Sequence, residues 1–341
     1  MQDAGRESLL MDFSGFVSMP VTDGHVHFIH PDSMDAMLAV LDQTGCARAN
    51  LVCLPNPDGT TGNRTALTFK ARHPDLVYLS GALEYGPALA NLAHAPEMLA
   101  RQVLALKAQG FDGLKLIEGK PQVRKLLPYP LDGPLYAELW AMLEQEQFPV
   151  VFHVADPDEF WDPVSCPDWA RRSGWDYTDG SYPTKEALYT EVERILARHP
   201  RLKLTFAHFY FLSRDLERAA QFLDAHPTVC FDLAPHVDMY RDFSQEPARA
   251  REFFLRYQDR LIYGTDLDTR VLQRGETGTQ FVLNLAWLIR AILEKGGTFT
   301  VPANASWKNY HGLGLPHAVL RKIYCANFAR IYSTIAPSTA C

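Results

Sequence analysis

Short apolar runs alternate with longer amphipathic segments from one end of the chain to the other. The apolar runs have the length and residue types expected of buried β-strands. The pattern predicts eight strands, at residues 21–28, 50–54, 76–82, 113–117, 150–154, 202–208, 229–233 and 261–264.

The segments between these runs carry leucine and alanine residues at spacings of three and four, as the buried face of a helix requires. They predict eight helices, at residues 33–44, 63–73, 96–108, 134–146, 185–199, 214–226, 246–257 and 280–294. Two of these helices stop before a proline, Pro200 and Pro227, because proline cannot continue a helix. A further helix, at residues 317–332, follows the eighth unit.

Eight strand–helix units in one chain predict a (β/α)8 TIM barrel, an α/β fold in which parallel strands form a closed ring. The main alternative is a doubly wound open sheet, which usually has fewer strands. That alternative is weakened because no glycine-rich phosphate loop follows any predicted strand. The chain contains no recognisable linker, repeat or low-complexity tract, so residues 1–341 are predicted to form a single domain.

Two connections are longer than the others, and both contain aromatic residues. The first follows the fifth strand and spans residues 156–182, and the second spans residues 296–316. Long loops in compact domains are usually functional or disordered, and the aromatic content argues against disorder. Loops that follow strands lie on the face where barrel enzymes place their sites. The first loop is therefore predicted to be a lid or pocket wall, with Trp161 contacting the substrate.

The composition narrows the class of protein. Of 341 residues, 47% are hydrophobic and 21% are charged, which indicates a globular chain with a large core. The net charge of −7 argues against a general nucleic-acid binder, since no basic stripe is available for phosphates. The N-terminus lacks the features of a signal peptide, and the most apolar window, residues 281–293, is interrupted by Asn284 and Arg290. We therefore predict a soluble, cytoplasmic globular protein without a nucleic-acid or membrane partner. The charge balance says nothing about a small ligand in a pocket.

Two histidines at the end of the first predicted strand are the first candidates for chemistry. His25 and His27 lie in the run Asp-Gly-His-Val-His. Because strand side chains alternate, the two imidazoles share a face, roughly 6.6 Å apart along the strand. They can converge on a single ion, or they can be core histidines satisfied by hydrogen bonds.

Three more strands end in a residue that can bind a metal. The fifth strand ends at His153, the sixth ends at His208, and Asp266 follows the eighth. In a barrel all strand ends surround one opening, so these side chains are expected to meet His25 and His27 there. Burying so many polar groups without a purpose would be costly. Imidazole and carboxylate ligands suit a divalent cation, zinc first and manganese or iron next.

These features together resemble the amidohydrolase superfamily, and specifically the amidohydrolase-related branch that contains hydrolases and metal-dependent decarboxylases. The similarity covers nearly the whole chain. It includes DGHVHF at the first strand, GFDGLKL at the fourth, PVVFH at the fifth, LTFAH at the sixth, LIYGTD at the eighth and LGLPHAVLRKIYCANFARIY at the closing helix.

The resemblance implies a set of site residues and a quaternary state. By this similarity the metal ligands are His25, His27, His153 and Asp266. His208 is then either a ligand of a second metal ion or a metal-free catalytic histidine near the bound substrate. Relatives commonly form dimers or larger assemblies, so the resemblance also suggests a homo-oligomer.

Lys115, in the fourth-strand motif, allows two interpretations. In binuclear relatives a carboxylated lysine of this strand bridges two metal ions, whereas in the amidohydrolase-related branch a lysine here is common without that role. The structural alternative is a salt bridge with a nearby carboxylate such as Glu118. We favour a site with one divalent cation and place Lys115 and Glu118 among the substrate-binding residues.

The leading functional hypothesis is metal-assisted hydrolysis of a small ester, lactone or amide. A bound cation makes hydroxide available at neutral pH, and Asp266 accepts the proton of the attacking water. His208 is expected to polarise the carbonyl or stabilise the developing oxyanion.

Two alternatives use the same residues differently. A metal-dependent decarboxylase of an aromatic or unsaturated acid would use Asp266 or His208 to protonate carbon. Decarboxylases of this branch usually have small residues after the sixth-strand histidine, whereas this chain has Phe209, Tyr210 and Phe211, which weakens that alternative. A non-catalytic metal- or ligand-binding barrel is disfavoured because Asp266 supplies an acid–base group.

Overall fold

The computed structural model describes residues 11–29, 31–56, 59–236 and 238–332. The first ten residues, for which the sequence predicts no signal peptide, lie outside the described residues. The strands are β1 (Val21–His27), β2 (Cys46–Val52), β3 (Val77–Gly81), β4 (Gly113–Gly119), β5 (Val150–Val154), β6 (Leu204–Phe206), β7 (Cys230–Asp232), β8 (Leu261–Ile262), β9 (Leu267–Asp268), β10 (Gly296–Phe299) and β11 (Tyr310–Leu313).

Helices follow or precede the strands along the whole chain. The α-helices are α1 (Met34–Gln43), α2 (Asn63–Arg72), α3 (Gly86–Leu89), α4 (Ala95–Gln109), α5 (Pro121–Leu126), α6 (Pro134–Glu146), α7 (Asp168–Arg172), α8 (Lys185–Arg198), α9 (Leu216–Ala225), α10 (Met239–Gln245), α11 (Pro247–Arg256), α12 (Thr269–Leu272), α13 (Glu276–Glu294), α14 (His317–Arg321) and α15 (Asn327–Tyr332). Short 3₁₀ turns occur at Pro31–Ser33, Asp158–Trp161 and Ala207–Phe211, and a π-helical turn at Lys322–Ala326 joins α14 to α15. Among the described helices, none combines the length and apolarity needed to cross a membrane.

The sheet closes into a ring through the segment that contains β8 and β9. Strands β1 to β8 pair in parallel with their neighbours in chain order, and β9 pairs with β1. On one side, the amide of Leu233 donates to the carbonyl of Ile262 at 2.8 Å. On the other side, Gly24 N donates to the carbonyl of Tyr263 at 2.8 Å and Asp266 N donates to that of His25 at 3.0 Å. This arrangement confirms the predicted TIM barrel.

All eight predicted strands and all eight predicted long helices are present, with shifted ends. Two expectations are wrong in part. The sixth strand was expected to reach His208, but β6 ends at Phe206 because the chain enters a tight turn there. Residues 296–316 were expected to form a loop, but β10 and β11 pair in this segment as an antiparallel hairpin.

The closing helix seals the barrel at the end opposite to the carboxyl ends of the strands. Phe328, Ile331 and Tyr332 of α15 form a buried cluster with interior residues of the barrel, among them Val151 and Ile262. The π-helical turn before α15 leaves a carbonyl that accepts a hydrogen bond from the amide of Tyr263 at 2.9 Å. The tail is therefore part of the core and fixes the segment between β8 and β9 that contains Asp266.

Replacing Phe328 with alanine is expected to lower the free energy of unfolding by about 3–5 kcal/mol, because it leaves a cavity in a buried cluster. The Phe328 ring is 1% exposed and stacks on Tyr332 with ring centroids 4.2 Å apart. The matched control is Phe281→Ala in α13, where the side chain is 46% exposed. Chemical denaturation of both variants measures the difference, and equal losses of stability would contradict the role assigned to α15.

Candidate metal centre

Three side chains, two from the first strand and one from the segment after the eighth, meet at the carboxyl ends of the barrel strands. One ligand atom from each of His25, His27 and Asp266 lies within 4.8 Å of the others. Nε2 of His27 is 3.2 Å from Nε2 of His25 and 3.0 Å from Oδ1 of Asp266. Nε2 of His25 is 3.6 Å from the same Asp266 oxygen. The alternation of β1 and the closure of the barrel thus bring together three of the four ligands predicted from the sequence.

The donor atoms of this cluster fit a divalent cation. Within the described part of the chain, Asp266 Oδ1 and His27 Nδ1 are buried without a hydrogen-bond partner of acceptable geometry. Buried polar atoms are normally paired, so an unpaired carboxylate oxygen between two imidazoles is costly unless something binds it. Burial acts to raise the pKa of Asp266, but its contact with His27 and the nearby His208 and His25 outweigh burial and hold that pKa well below its ordinary value. Imidazole nitrogen and carboxylate oxygen form the donor set that zinc and similar ions prefer.

Asp232 on β7 fixes the orientation of His25. Its Oδ2 lies 2.8 Å from Nδ1 of His25, and both side chains are fully buried. Because the carboxylate can only accept, Nδ1 carries the proton and Nε2 presents a lone pair to the cluster. Burial lowers the pKa of His25 well below its ordinary value, which keeps the ring neutral, and burial raises the pKa of Asp232 to about 6. Asp232 is the last residue of β7, so it lies at the same end of the barrel as the other strand-end residues.

Lys115 points into the cluster instead of forming the expected salt bridge. Its Nζ lies 2.9 Å from Nε2 of His25, and burial lowers the pKa of Lys115 to about 8. Among the described residues, Lys115 makes no ion pair with Glu118, whose carboxylate accepts hydrogen bonds from Tyr85 Oη at 2.6 Å and from the amide of Ile117 at 2.8 Å. The expected Lys115–Glu118 bridge is therefore wrong, because the two side chains have different partners. Substrate binding by either residue stays a prediction.

His208 lies in a left-handed turn that the sequence did not predict. Residues 208–211 all have positive φ, between 51° and 58°. Non-glycine residues in this conformation cost about 1–2 kcal/mol each, so the surrounding packing must enforce it. Phe209 packs its ring against Phe231 in the core, and Tyr210 packs against Phe206 with ring centroids 4.2 Å apart.

The turn sets both the position and the tautomer of His208. Its backbone amide donates to Oδ1 of Asp232 at 2.8 Å, and its Nδ1 lies 3.2 Å from the carbonyl of Ala234. A carbonyl only accepts, so Nδ1 carries the proton and Nε2 has a free lone pair. The ring centroid of His208 lies 5.4 Å from that of His25, beside the cluster. Burial lowers the pKa of His208 well below its ordinary value, so this histidine is neutral.

Only one of the three aromatic residues after His208 contacts the site. The ring of Phe211 lies 5.3 Å from that of His208 and 5.4 Å from that of His153. Phe209 and Tyr210 are buried in the core, so they do not fill the pocket. The sequence could not show which of these rings faces the site.

His153 at the end of β5 lies next to His208, with ring centroids 4.9 Å apart. It stands outside the tight cluster of His25, His27 and Asp266. Its Nε2 lies 3.0 Å from the carbonyl of Ala155 and 3.3 Å from Oδ1 of Asp156, so the proton is on Nε2 and the lone pair is on Nδ1. The role of His153 as a metal ligand stays a prediction.

The loop after β5 reaches this histidine through Asp156. The buried carboxylate of Asp156 binds Nζ of Lys120 at 2.6 Å and Oη of Tyr177 at 2.6 Å. Sequence reasoning missed Asp156, Lys120 and Tyr177, although an acidic residue three positions after a strand-end histidine was an available signal. Trp161 packs on Tyr177 with ring centroids 4.9 Å apart and donates its Nε1–H to the carbonyl of Pro183 at 3.1 Å. Its contact with the substrate stays a prediction.

Solved structures show the same fold at low sequence identity. A 2,6-dihydroxybenzoate decarboxylase from Rhizobium is 15% identical with a TM-score of 0.58, covering 92% of this chain and 98% of that one. A 5-carboxyvanillate decarboxylase from Novosphingobium aromaticivorans, complexed with manganese and 4-hydroxy-3-methoxy-5-nitrobenzoic acid, is 15% identical with a TM-score of 0.56, covering 92% and 96%. A probable 2-pyrone-4,6-dicarboxylic acid hydrolase from Acinetobacter baumannii, with citric acid bound, is 13% identical with a TM-score of 0.51, covering 92% and 99%.

The family of this chain is shown by its match to a family model and not by the solved structures. No curated protein sequence matches the chain at a significant level. The family model described as Amidohydrolase, however, matches residues 22–334, from the first strand of the barrel to the closing helix. The chain therefore belongs to the amidohydrolase family.

Proposed function

We propose that this protein is a metal-dependent hydrolase of a small ester, lactone or amide. The observation that carries the proposal is a pair of proton acceptors at the strand ends, Asp266 and His208. Within the described residues, Asp266 Oδ1, the oxygen that faces the cluster, is buried without a hydrogen bond of acceptable geometry, and His208 keeps a lone pair on Nε2 because its Nδ1 faces a carbonyl. A carboxylate that binds a cation through one oxygen can accept the proton of water on its other oxygen. Hydrolysis begins with the removal of a proton from water, which is the task such acceptors perform.

The residues that would hold the cation are His25, His27 and Asp266, with His153 as a further ligand. A bound divalent cation supplies a Lewis acid that lowers the pKa of water towards about 7 and polarises a carbonyl. Zinc is the cation that best suits two imidazoles and a carboxylate, with manganese or iron next. Manganese has additional support because it is present in the 5-carboxyvanillate decarboxylase complex.

The hydrogen bonds of the site suggest a role for each remaining group. Asp266 accepts the proton of the attacking water and passes it to the leaving group. The sequence suggested that His208 polarises the carbonyl, but its neutral ring has no proton on Nε2, so it acts as an acceptor or a ligand. Lys115, whose ammonium lies beside His25, is the donor positioned to stabilise a developing oxyanion.

Decarboxylation of an aromatic or unsaturated acid is the second candidate. One observation favours it: Phe209 and Tyr210 are buried in the core, so Phe211 alone of the three bulky residues that argued against a decarboxylase lies at the site. Protonation of carbon requires a proton donor, however, and His208 presents an acceptor there. We therefore rank hydrolysis first.

A substrate panel separates the two reactions. We expect zinc-loaded protein to hydrolyse esters to acid and alcohol, lactones to hydroxy acids or amides to acid and amine, without release of carbon dioxide. A chelator is expected to abolish this turnover until zinc is restored. His27→Ala is expected to lower turnover at least about 10²-fold, because it removes one ligand of the cluster. The matched control is His226→Ala, whose side chain pairs with Glu193 at the surface.

The outcomes of the panel are distinct. Carbon dioxide release from hydroxybenzoates or related acids would support the decarboxylase instead. Zinc binding without turnover on any member of the panel would support a non-catalytic barrel.

A further inference from the structure

The loop after β5 is a small folded body with its own core. Phe160, Cys166, Ala170 and Tyr177 form a buried cluster that is separate from the main core, and Trp175 and Tyr182 pack against it. Phe160 and Trp175 stack with ring centroids 6.0 Å apart. A segment with an internal core can dock on the barrel, or leave it, as a unit.

This body, residues 158–182, covers a buried ion pair of the barrel. It also contacts the barrel elsewhere, through hydrogen bonds from Gln122 to the carbonyls of Ser173 and Gly174 and through ion pairs of Asp158 with Lys185 and of Glu159 with Arg214. Lys120, which follows β4, binds both oxygens of Asp156 at 2.6 and 2.9 Å. The loop covers this pair from outside: Tyr177 donates its hydroxyl proton to Asp156 at 2.6 Å, and the ring of Trp175 lies 4.4 Å from Nζ of Lys120. A charged pair that has lost water depends on such contacts, so undocking of the loop would change the environment of Asp156.

The same carboxylate also orients a histidine of the site. Oδ1 of Asp156 lies 3.3 Å from Nε2 of His153, on the side of the ring away from Nδ1. A carboxylate that accepts from one ring nitrogen fixes the ring and raises the basicity of the other nitrogen. Asp156 therefore contributes both to docking of the loop and to the orientation of His153.

We infer that docking of the loop and cation binding are coupled through Asp156, with Tyr177 as a positioning residue. The inference rests on the proposed function in one respect, since it takes His153 to be a ligand. Coupling between two events is reciprocal, so bound cation must stabilise the docked loop as much as docking tightens cation binding. Tyr177 acts on the site only through Asp156 and need not touch the substrate.

Hydrogen–deuterium exchange and calorimetry test the coupling without any substrate. In the wild-type protein, saturating zinc is expected to slow amide exchange in residues 158–182 at least about fivefold. Tyr177→Phe removes the hydroxyl that binds Asp156 and keeps the ring in the loop core. It is expected to weaken zinc binding about 10-fold or more and to reduce the slowing of exchange by zinc.

Tyr182→Phe is the matched control. Its ring packs on that of Tyr177 with centroids 4.7 Å apart, and its hydroxyl makes no hydrogen bond to Asp156 among the described residues. This variant should bind zinc with the wild-type dissociation constant. Thermal unfolding of both variants shows whether the loop core is intact.

Two results would overturn the coupling alone. One is zinc binding to the wild-type protein without any change of exchange in the loop, and the other is an unchanged dissociation constant in Tyr177→Phe. Failure of the wild-type protein to bind zinc would also overturn the proposed metal dependence. The wild-type exchange experiment needs no variant, so it decides the matter even if Tyr177→Phe does not fold.

Discussion

Asp266→Asn is expected to lower turnover by about 10²–10⁴-fold while the protein stays folded. The substitution keeps the size of the side chain and one oxygen, but an amide cannot accept the proton of water at neutral pH. It also removes the negative charge that Asp266 contributes to the cluster with His25 and His27. Some cation binding should remain, because the two imidazoles are unchanged.

Asparagine is the right replacement because of the backbone at this position. Asp266 has a φ of 56°, and asparagine tolerates the left-handed conformation better than alanine does. The backbone N–H of residue 266 can still donate to the carbonyl of His25, and this hydrogen bond helps to close the barrel. The measurements are steady-state turnover on a substrate found in the panel, metal content by mass spectrometry and thermal unfolding. Near-normal turnover in a folded, metal-loaded variant would contradict the role of Asp266 as proton acceptor.

Asp232→Asn is expected to weaken zinc binding by about 10–100-fold and to lower turnover with it. Three donors surround the carboxylate: Nδ1–H of His25 at 2.8 Å, and the amides of His208 at 2.8 Å and Ala234 at 3.1 Å. The side chain of asparagine has one accepting oxygen and one donating nitrogen. Because all three partners are donors, the nitrogen must face one of them without forming a hydrogen bond. If the amide nitrogen faces His25, the imidazole must move its proton to Nε2, the nitrogen intended for the cation.

The control for this variant is Asp224→Asn, whose half-exposed carboxylate pairs with Arg256 at 2.7 Å on the surface. It should leave the zinc dissociation constant unchanged. Competition with a chromophoric chelator measures the constant for both variants. If Asp232→Asn binds zinc as tightly as the wild-type protein, the hydrogen bond from His25 does not set the tautomer of that ring.

The barrel could be predicted because its signal is spread over many residues. Each strand is a short apolar run and each long helix has one apolar face, so the order of elements is readable without tertiary information. The convergence of His25, His27 and Asp266 follows from the same reading, since strand ends meet once the ring is closed. The hairpin of β10 and β11 was missed because Gly296 and Gly297 are exposed and show no strand alternation.

The features that could not be predicted depend on contacts between distant segments. The left-handed turn at residues 208–211 forms because the core accepts the rings of Phe209 and Tyr210, and no local signal favours positive φ there. His25 and His208 are connected because both donate hydrogen bonds to Asp232, which lies on β7. A salt bridge with Glu118 was the structural alternative for Lys115, but in the folded barrel Nζ of Lys115 lies beside His25.

We propose that His25, His27 and Asp266 hold one divalent cation at the carboxyl ends of the barrel strands. Anomalous X-ray diffraction from zinc-soaked crystals, recorded on both sides of the zinc absorption edge, tests it most directly. We expect one zinc peak bonded to these three side chains, at about 2.0–2.2 Å from each ligand atom. A zinc peak held by other residues, or an empty cluster in zinc-saturated protein, would contradict it.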